Sequence, residues 1–289
     1  MTNSKASSDK SFGHYKPSRF MQKLIQFARG RSESWASKRL AFLARRIGLS
    51  CLKTPLDLTA FEDVKMRLYP FANICEKRIL FTPQYFDASE REALKDVISK
   101  PNSVFIDIGA NVGGYALYAA HYAGAASHIY AIEPQPDIYE RLCFNIEANQ
   151  YEHVIPIAQA ISDKKGEVTL FIDPKNKGES SMKHVSADTA QTISSLKVQA
   201  LPLTEFCDDH KIDHIDALKL DVEGAEDLIL VHFFANADVA LHPRLIILEN
   251  GQDSWQSDLD KLLLDKGYQL KLQTRLNSVY ILKRKEGFS

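Results

Sequence analysis

Four stretches of this 289-residue chain carry a carboxylate at or near the end of an apolar run, a placement that brings acids to a sheet edge. In Val104-Phe-Ile-Asp-Ile-Gly-Ala-Asn-Val-Gly-Gly-Tyr115 a strand-like run carries Asp107 into a glycine-containing turn that opens a helix. Gly109 and Gly113 allow close approach of backbone to a ligand, and the free N–H groups of the helix start favour an anionic group. In Ile129-Tyr-Ala-Ile-Glu-Pro134 the acid Glu133 falls at the tip of a second strand, where its two oxygens can accept both hydroxyls of a ribose. In Leu218-Lys-Leu-Asp-Val-Glu-Gly-Ala-Glu226 the pair Asp221 and Glu223 lies at the carboxyl edge of a fourth strand, over the crevice where open α/β sheets bind ligands. Glu249 and Asn250 end a fifth.

The turn discriminates among cofactors. A dinucleotide site asks for Gly-x-Gly-x-x-Gly, and here Asn111 replaces the middle glycine and obstructs a pyrophosphate, which disfavours nicotinamide cofactors. S-adenosylmethionine has no phosphates and carries an ammonium, a carboxylate and a sulfonium, so Asp107 suits its ammonium side. The expected cofactor-binding set is Asp107, Gly109, Asn111, Gly113, Glu133, Ser162 and Asp163. The last two follow the third strand and are candidates for the adenine amino group, although Ser-Asp-Lys-Lys-Gly is also a plain turn sequence. Asp221 and Glu223 are the catalytic candidates. Asp221 would orient the methionine end or the acceptor, and Glu223 would act as general base for a hydroxyl, whose high pKa makes proton removal useful. The alternative for Glu223 is a favourable charge at the next helix's N-terminus, with Lys219 as the counterion of its neighbour. Asp221, Glu249 and Asn250 make an oxygen set of the kind Mg²⁺ takes, but spacing does not establish a metal, and none is expected. His210 and His214 have HxxxH spacing with Lys211 in place of the glutamate of HExxH, so zinc is not expected either.

Positioning these acids requires a parallel sheet. From residue 103 onward Val/Ile-rich runs alternate with helical patterns, predicting strands at 104–108, 128–133, 153–160, 217–221 and 245–249 and helices at 113–123, 136–149, 225–234 and 254–266. Two last strands, 268–273 and 278–282, are too close for anything but a hairpin. The expected fold class is therefore α/β, a Rossmann-like, mostly parallel seven-stranded sheet with a C-terminal antiparallel hairpin, the arrangement of class I methyltransferases. Short strands at 167–172 and 196–200 flank a polar stretch, 173–192, of the kind that forms lids or substrate loops.

Composition is ordinary for a globular protein, with 45% hydrophobic and 25% charged residues. Four scattered cysteines fit reduced thiols better than a disulfide framework, and the first twenty residues are polar where a signal peptide would be apolar, so a cytoplasmic location is expected. The near-zero net charge conceals an asymmetry: residues 1–50 hold 11 Lys and Arg against Asp9 and Glu33, leaving an acidic remainder. An acidic catalytic region argues against a nucleic acid substrate. In the basic segment Phe20, Leu24, Phe27, Leu40, Leu43 and Ile47 interleave with Lys23, Arg29, Lys38, Arg39, Arg45 and Arg46. Either solvated helices packed on the domain or a surface for an anionic membrane or partner follows from that pattern. Residues 1–75 are thus expected to form a partly helical extension of a cofactor-binding domain spanning 76–289.

The chain resembles the FkbM family of S-adenosylmethionine-dependent methyltransferases. The resemblance covers about residues 80 to 283 and is carried by Phe105-Ile-Asp-Ile-Gly-Ala-Asn-Val-Gly113, Ile132-Glu-Pro134, Ala160-Ile-Ser-Asp163, Lys219-Leu-Asp-Val-Glu-Gly-Ala-Glu226 and Ile247-Leu-Glu249, in order and spacing. It implies methyl transfer, usually to a hydroxyl oxygen, on sugars, lipid-linked or secreted glycans, or polyketide-like natural products. It also implies that Asp107, Gly109, Asn111, Glu133 and Asp221 line the cofactor site, and that a Gly-x-Ser-Ser segment at 178–181 contacts the acceptor. Rival readings are methylation of nitrogen or carbon, a non-catalytic cofactor- or partner-binding module, and a nicotinamide oxidoreductase.

Overall fold

A computed structural model describes residues 10–71, 73–172, 180–181 and 194–283. The basic segment forms two helices, α1 (Arg19–Arg29) and α2 (Trp35–Cys51), broken apart at Gly30. Ser18 and Ser34 cap them by accepting from the N–H groups of Met21 and Ser37. A hairpin of β1 (Leu56–Thr59) and β2 (Lys65–Leu68) follows, then α3 (Ile74–Phe81) and α4 (Ala88–Ile98). Alternation then begins with β3 (Val104–Ile108), α5 (Gly114–Tyr122), β4 (His128–Ile132), α6 (Pro136–Asn149) and β5 (Val154–Ile157). β6 (Ala160–Ser162), β7 (Gly166–Ile172), β8 (Ser180–Ser181) and β9 (Ser194–Pro202) form an inserted sheet. The chain returns through α7 (Leu203–Asp209), β10 (Ala217–Leu220), α8 (Glu226–Asn236), β11 (Leu245–Glu249) and α9 (Leu259–Asp265) to β12 (Tyr268–Gln273) and β13 (Asn277–Leu282).

The main sheet has the order β12-β13-β11-β10-β3-β4-β5. β5, β4, β3, β10 and β11 are mutually parallel, and β13 runs antiparallel to both β11 and β12, as the hairpin spacing predicts. The chain starts in the middle, winds outward to β5 and returns beside β3, so the order reverses between β3 and β10 and leaves a crevice at their carboxyl ends. Alternate strand residues feed two apolar layers: Phe105, Ile129, Ala217 and Ile247 on one face, Ile106, Tyr130, Leu218 and Ile246 on the other.

The first layer continues without interruption into the N-terminal elements, taking in Met21, Ile25, Ala44, Met66 and Leu80 together with Ala116 and Leu117 of α5. Polar ties run the same way. Asn145 of α6 accepts from the Arg67 N–H at 2.8 Å and donates to the Val112 carbonyl at 3.0 Å, standing in for the strand partner that β2 lacks on that side. Asp57 and Arg67 form a buried pair at 2.7 Å, and Arg67 also donates to the Lys10 and Ser11 carbonyls.

Two expectations need correction. The third strand does not run through 153–160: β5 stops at Ile157, and β6 leaves the main sheet to pair in parallel with the end of β9. That pairing depends on a strand some forty residues away, which a local pattern does not reveal. The helix expected at 254–266 begins only at Leu259, where Asp258 accepts from the Lys261 N–H. The preceding residues serve other partners: Trp255 donates to Glu226 and the Gln256 N–H donates to Asp227. Most of the polar stretch 173–192, including residues 178 and 179 of the 178–181 segment, lies outside the described residues. Among the described residues no helix is long and apolar enough to cross a membrane.

Candidate active site

A cavity of about 340 Å³ opens at the carboxyl edge of β3, β4, β10 and β11. It falls within the size range of small-molecule sites, about 300–1,000 Å³. Its wall holds Asp107, Gly109 and Asn111 from the first motif, Glu133 from the second, Asp221 and Glu223 from the fourth strand's end, and Glu249. Sequence-distant acids are brought together because five parallel strands end on one line.

Asp107 is fully buried on β3 with no close hydrogen-bond partner for either oxygen, the Ala116 N–H and Lys219 facing it from farther off. The nearest cation is Lys219 Nζ at 3.7 Å. Burial pushes the Asp107 carboxyl up to about 6 against the pull of Lys219, with Asp221 adding to the rise. A buried carboxylate with unmet accepting capacity at the floor of a cavity fits a cationic or hydrogen-bond-donating ligand group, as an ammonium is.

Gly109 has φ +79°, and a Cβ there would meet the Asp221 carbonyl oxygen at 2.0 Å. Its freedom therefore seats the β3 turn against the end of β10, and Gly109 lines the cavity as well. Gly113, the N-cap of α5 at φ +94°, does not line the cavity; a Cβ there would press on Leu117 and Leu142. The space it provides serves helix packing, which corrects the expectation that it faces the ligand. Gly113 has no side chain with which to cap α5, and in the helix's first turn the Ala116 N–H faces Asp107.

Asn111 takes the left-handed conformation, φ 51°, and its N–H donates to Glu133 at 3.0 Å. The Gln135 N–H donates to the other Glu133 oxygen at 2.8 Å. Glu133 is thereby held by two backbone donors with lone pairs remaining on both oxygens. Burial pushes its carboxyl up to about 7, with the Gln135 and Asn111 N–H groups drawing it back. Ser162 and Asp163 do not reach the cavity; Ser162 donates to Asp163 at 3.1 Å on the inserted sheet, and Gln159, Ala160 and Ile161 line the wall instead. The departure of β6 from the main sheet is the cause.

On the other side Lys219 donates to Asp221 at 3.0 Å from a buried position over the Tyr115 ring. Burial opposes its charge, but Asp221 and Asp107 more than offset that and hold it protonated. Carboxylate oxygens of Asp221, Glu223 and Glu249 lie within 4.8 Å of one another, a spacing at which a metal ion could be held. Burial, with Asp221, Glu223 and Glu226 alongside, drives the Glu249 carboxyl well above the usual carboxylate range. Glu223 has φ 54° and Gly224 φ 95°, two successive left-handed residues that turn the chain over the cavity. Glu226 and Asp227 supply the acids of α8's first turn; Glu226 accepts from the Val222 and Gly224 N–H groups at 3.0 and 3.2 Å. Asn250 braces the hairpin, donating to the Thr274 carbonyl and accepting from Ser278. His210 stacks on Phe206, and His214 pairs with Asp213, so each ring already has protein partners.

Several wall residues escaped sequence reasoning. Asn73, Arg78 and Asp87 come from the loop and helix before β3. Asn73 donates to Asn111 at 2.9 Å, and Arg78 donates to Asp87 at 2.8 Å. Tyr115 also donates to Asp87, at 3.2 Å. The available signal was Asn73 as a helix N-cap, accepting from Glu76, but nothing local tied that helix to the cavity.

The sheet order and the acid-lined crevice define a class I, Rossmann-like methyltransferase that uses S-adenosylmethionine. Residues 107–270 match the methyltransferase FkbM domain, and the chain belongs to that family. The hexuronic acid methyltransferase AglP of Haloferax volcanii is 25% identical over 190 residues, 66% of this chain and 70% of that protein. Methyltransferase sdnD of Sordaria araneosa is 28% identical over 203 residues, 61% of this chain and 77% of its own length. Among solved structures, TYW2 of M. jannaschii in complex with AdoMet covers 80% of this chain and 88% of its own, with 14% identity and a TM-score of 0.40.

Proposed function

We propose that this protein methylates a hydroxyl oxygen on a sugar, glycan, glycolipid or secondary metabolite, with a sugar as the first choice. The observation that carries this is the carboxylate trio of Asp221, Glu223 and Glu249 at the mouth of the cofactor crevice. An alcohol is too weak an acid to give up its proton unaided, and a carboxylate placed beside the acceptor hydroxyl can take it. Glu223 is the proton acceptor in this scheme, Lys219 holds Asp221 in place through its hydrogen bond, and Glu249, its carboxyl pushed well up, lies beside them.

Bound S-adenosylmethionine supplies an activated methyl group on a cationic sulfur. On the protein side, Glu133 accepts the ribose hydroxyls, and the Asn111 and Gln135 N–H groups keep its oxygens aimed. Asp107 and Asp221 face the ammonium end, and the uncapped start of α5 with Arg78 provides positive charge for a carboxylate. Alignment and exclusion of water supply most of the rate.

The wall carries Asp87, Asp107, Glu133, Asp221, Glu223 and Glu249 against Arg78 and Lys219, a balance that supports a hydroxyl-rich acceptor over a polyphosphate chain. The relative named for hexuronic acid methylation supports a sugar.

Calorimetric titration with S-adenosylhomocysteine, with NADH as control, tests the cofactor half. Micromolar binding weakened about 100-fold or more in Glu133→Ala is expected from two lost charge-assisted hydrogen bonds. Transfer of labelled methyl groups to a sugar panel tests the rest. An alkali-stable methyl ether supports the proposal, whereas an alkali-labile ester, or methyl on nitrogen or carbon, overturns it.

A further inference from the structure

α2 packs the wrong way round for a helix whose only task is to complete a core. Its buried face is Ala41, Ala44 and Gly48, and its large residues point outward: Trp35 is 70% exposed, Leu43 54%, with Leu40, Phe42 and Ile47 each above 40%. The small residues are needed where they are, since a Cβ on Gly48 would lie 2.3 Å from the Phe81 ring. α1, which packs against α2, exposes Phe20 and Phe27 beside Arg19 and Lys23 while burying Met21, Ile25 and Ala28.

The chemistry of this face is uniform. Arg39 and Arg46 fall between the exposed aliphatic and aromatic residues of α2 at helical spacing, and Arg39, Arg45 and Arg31 lie over the rings of Trp35, Phe42 and Phe27. Glu33 is the acid among the described residues of these two helices and their link, and it is paired with Lys38. The helices are firmly mounted: the Arg29 guanidinium donates to the Thr59, Ile79 and Leu80 carbonyls, and Gln84 donates to the Ala28 carbonyl.

We propose that the outward face of α2, with Phe20 and Phe27 of α1, docks this protein on an anionic lipid bilayer. Trp, Phe and Leu side chains flanked by arginine are what an interfacial helix lays into the headgroup region, and arginines meet lipid phosphates there. A second copy of the same face is the poorer occupant, since pairing would set Lys23, Arg39 and Arg46 against their own duplicates. Bilayer docking is independent of the methyl acceptor, so failure of either proposal leaves the other standing.

The test is flotation of the full chain with vesicles of phosphatidylcholine alone or with about 30% phosphatidylglycerol. Binding at least tenfold stronger to the anionic vesicles, weakened by 0.5 M salt, is expected on the order of the screening that salt exerts. Leu43→Glu/Ile47→Glu should abolish flotation, and Arg39→Glu/Arg46→Glu should remove the preference for anionic lipid, both with S-adenosylhomocysteine affinity unchanged as proof of folding. No flotation with either vesicle, equal flotation with both, or sedimentation of the wild type as a dimer that Leu43→Glu/Ile47→Glu converts to monomer would overturn the proposal.

Discussion

α5 and α2 are both helices of this chain rich in alanine and large apolar residues, and they use them oppositely. α5 follows the nucleotide-binding turn and is buried from Gly114 through Ala120, sandwiched where the sheet needs it. α2 buries alanines and a glycine and turns Trp35, Leu43 and Ile47 to solvent. Apolar content alone therefore does not say what a helix is for; the direction in which its bulk points does. In α5 bulk fixes the position of a turn, and in α2 it is left over for an outside surface.

That contrast can be broken by experiment. The largest expected effect lies in turnover at the cavity. Glu223→Gln should lower kcat by about 10²–10⁴-fold, the usual range for loss of a general base, with S-adenosylhomocysteine affinity within about twofold of wild type. Measured by single-turnover methyl transfer, unchanged kcat would move the proton acceptor elsewhere.

Next come the glycines of the two regions. Gly109→Ala meets backbone at 2.0 Å and a left-handed φ, and should cost about 3 kcal/mol or more in urea unfolding, with cofactor binding lost. Gly48→Ala meets the Phe81 ring, a side chain that can shift, and should cost about 1–3 kcal/mol with cofactor binding kept. Equal losses would mean that both walls yield alike.

Acidity separates the cavity from the rest more gently. Glu133 and Glu76 are pushed up to about 7 and Asp107 to about 6, chiefly by burial, above their unfolded values. A raised carboxyl favours folding below its unfolded pKa, and that contribution is lost as pH rises through the folded value. The ligand-free protein should therefore melt at a higher temperature at pH 5.5 than at pH 8, a trend reduced in Glu133→Gln. S-adenosylhomocysteine binding should run the other way and weaken on acidification, because ribose hydroxyls donate to the ionised Glu133. The smallest effect is expected from chelation: EDTA should leave methyl transfer within about twofold, and a loss restored by Mg²⁺ would make the Asp221, Glu223 and Glu249 trio a metal site.

Legibility from sequence followed the range of the interactions concerned. The strands at 104–108 and 245–249, the helix at 136–149 and the closing hairpin were readable because their signals lie within one window: continuous apolar runs, Pro at a helix start, a short link. The acids at strand tips could be placed for the same reason. Asn73, Arg78 and Asp87 could not, since only three-dimensional packing carries α3 to the cavity wall. Ser162 and Asp163 were misplaced because the partner of β6 is β9, after the insertion. The face of α2 was half legible: the interleaved arginines and apolar residues were plain, but which side faced inward was decided by Gly48 fitting against Phe81.

The contact of Gly109 with the carbonyl of Asp221 ties two halves of the site that sequence places more than a hundred residues apart. There is no clearance between the turn that receives the donor and the strand end that carries the acceptor's acids, so neither can be retuned without moving the other. Diversification of what is methylated is thus channelled away from this joint, to Val222 beside the proton acceptor and to Ile74 and Phe86 of the 73–87 segment, which line the cavity without carrying its polar contacts. A library randomised in those two places should yield altered acceptor preference with an intact donor site, and one randomised at the joint should yield mostly inactive chains.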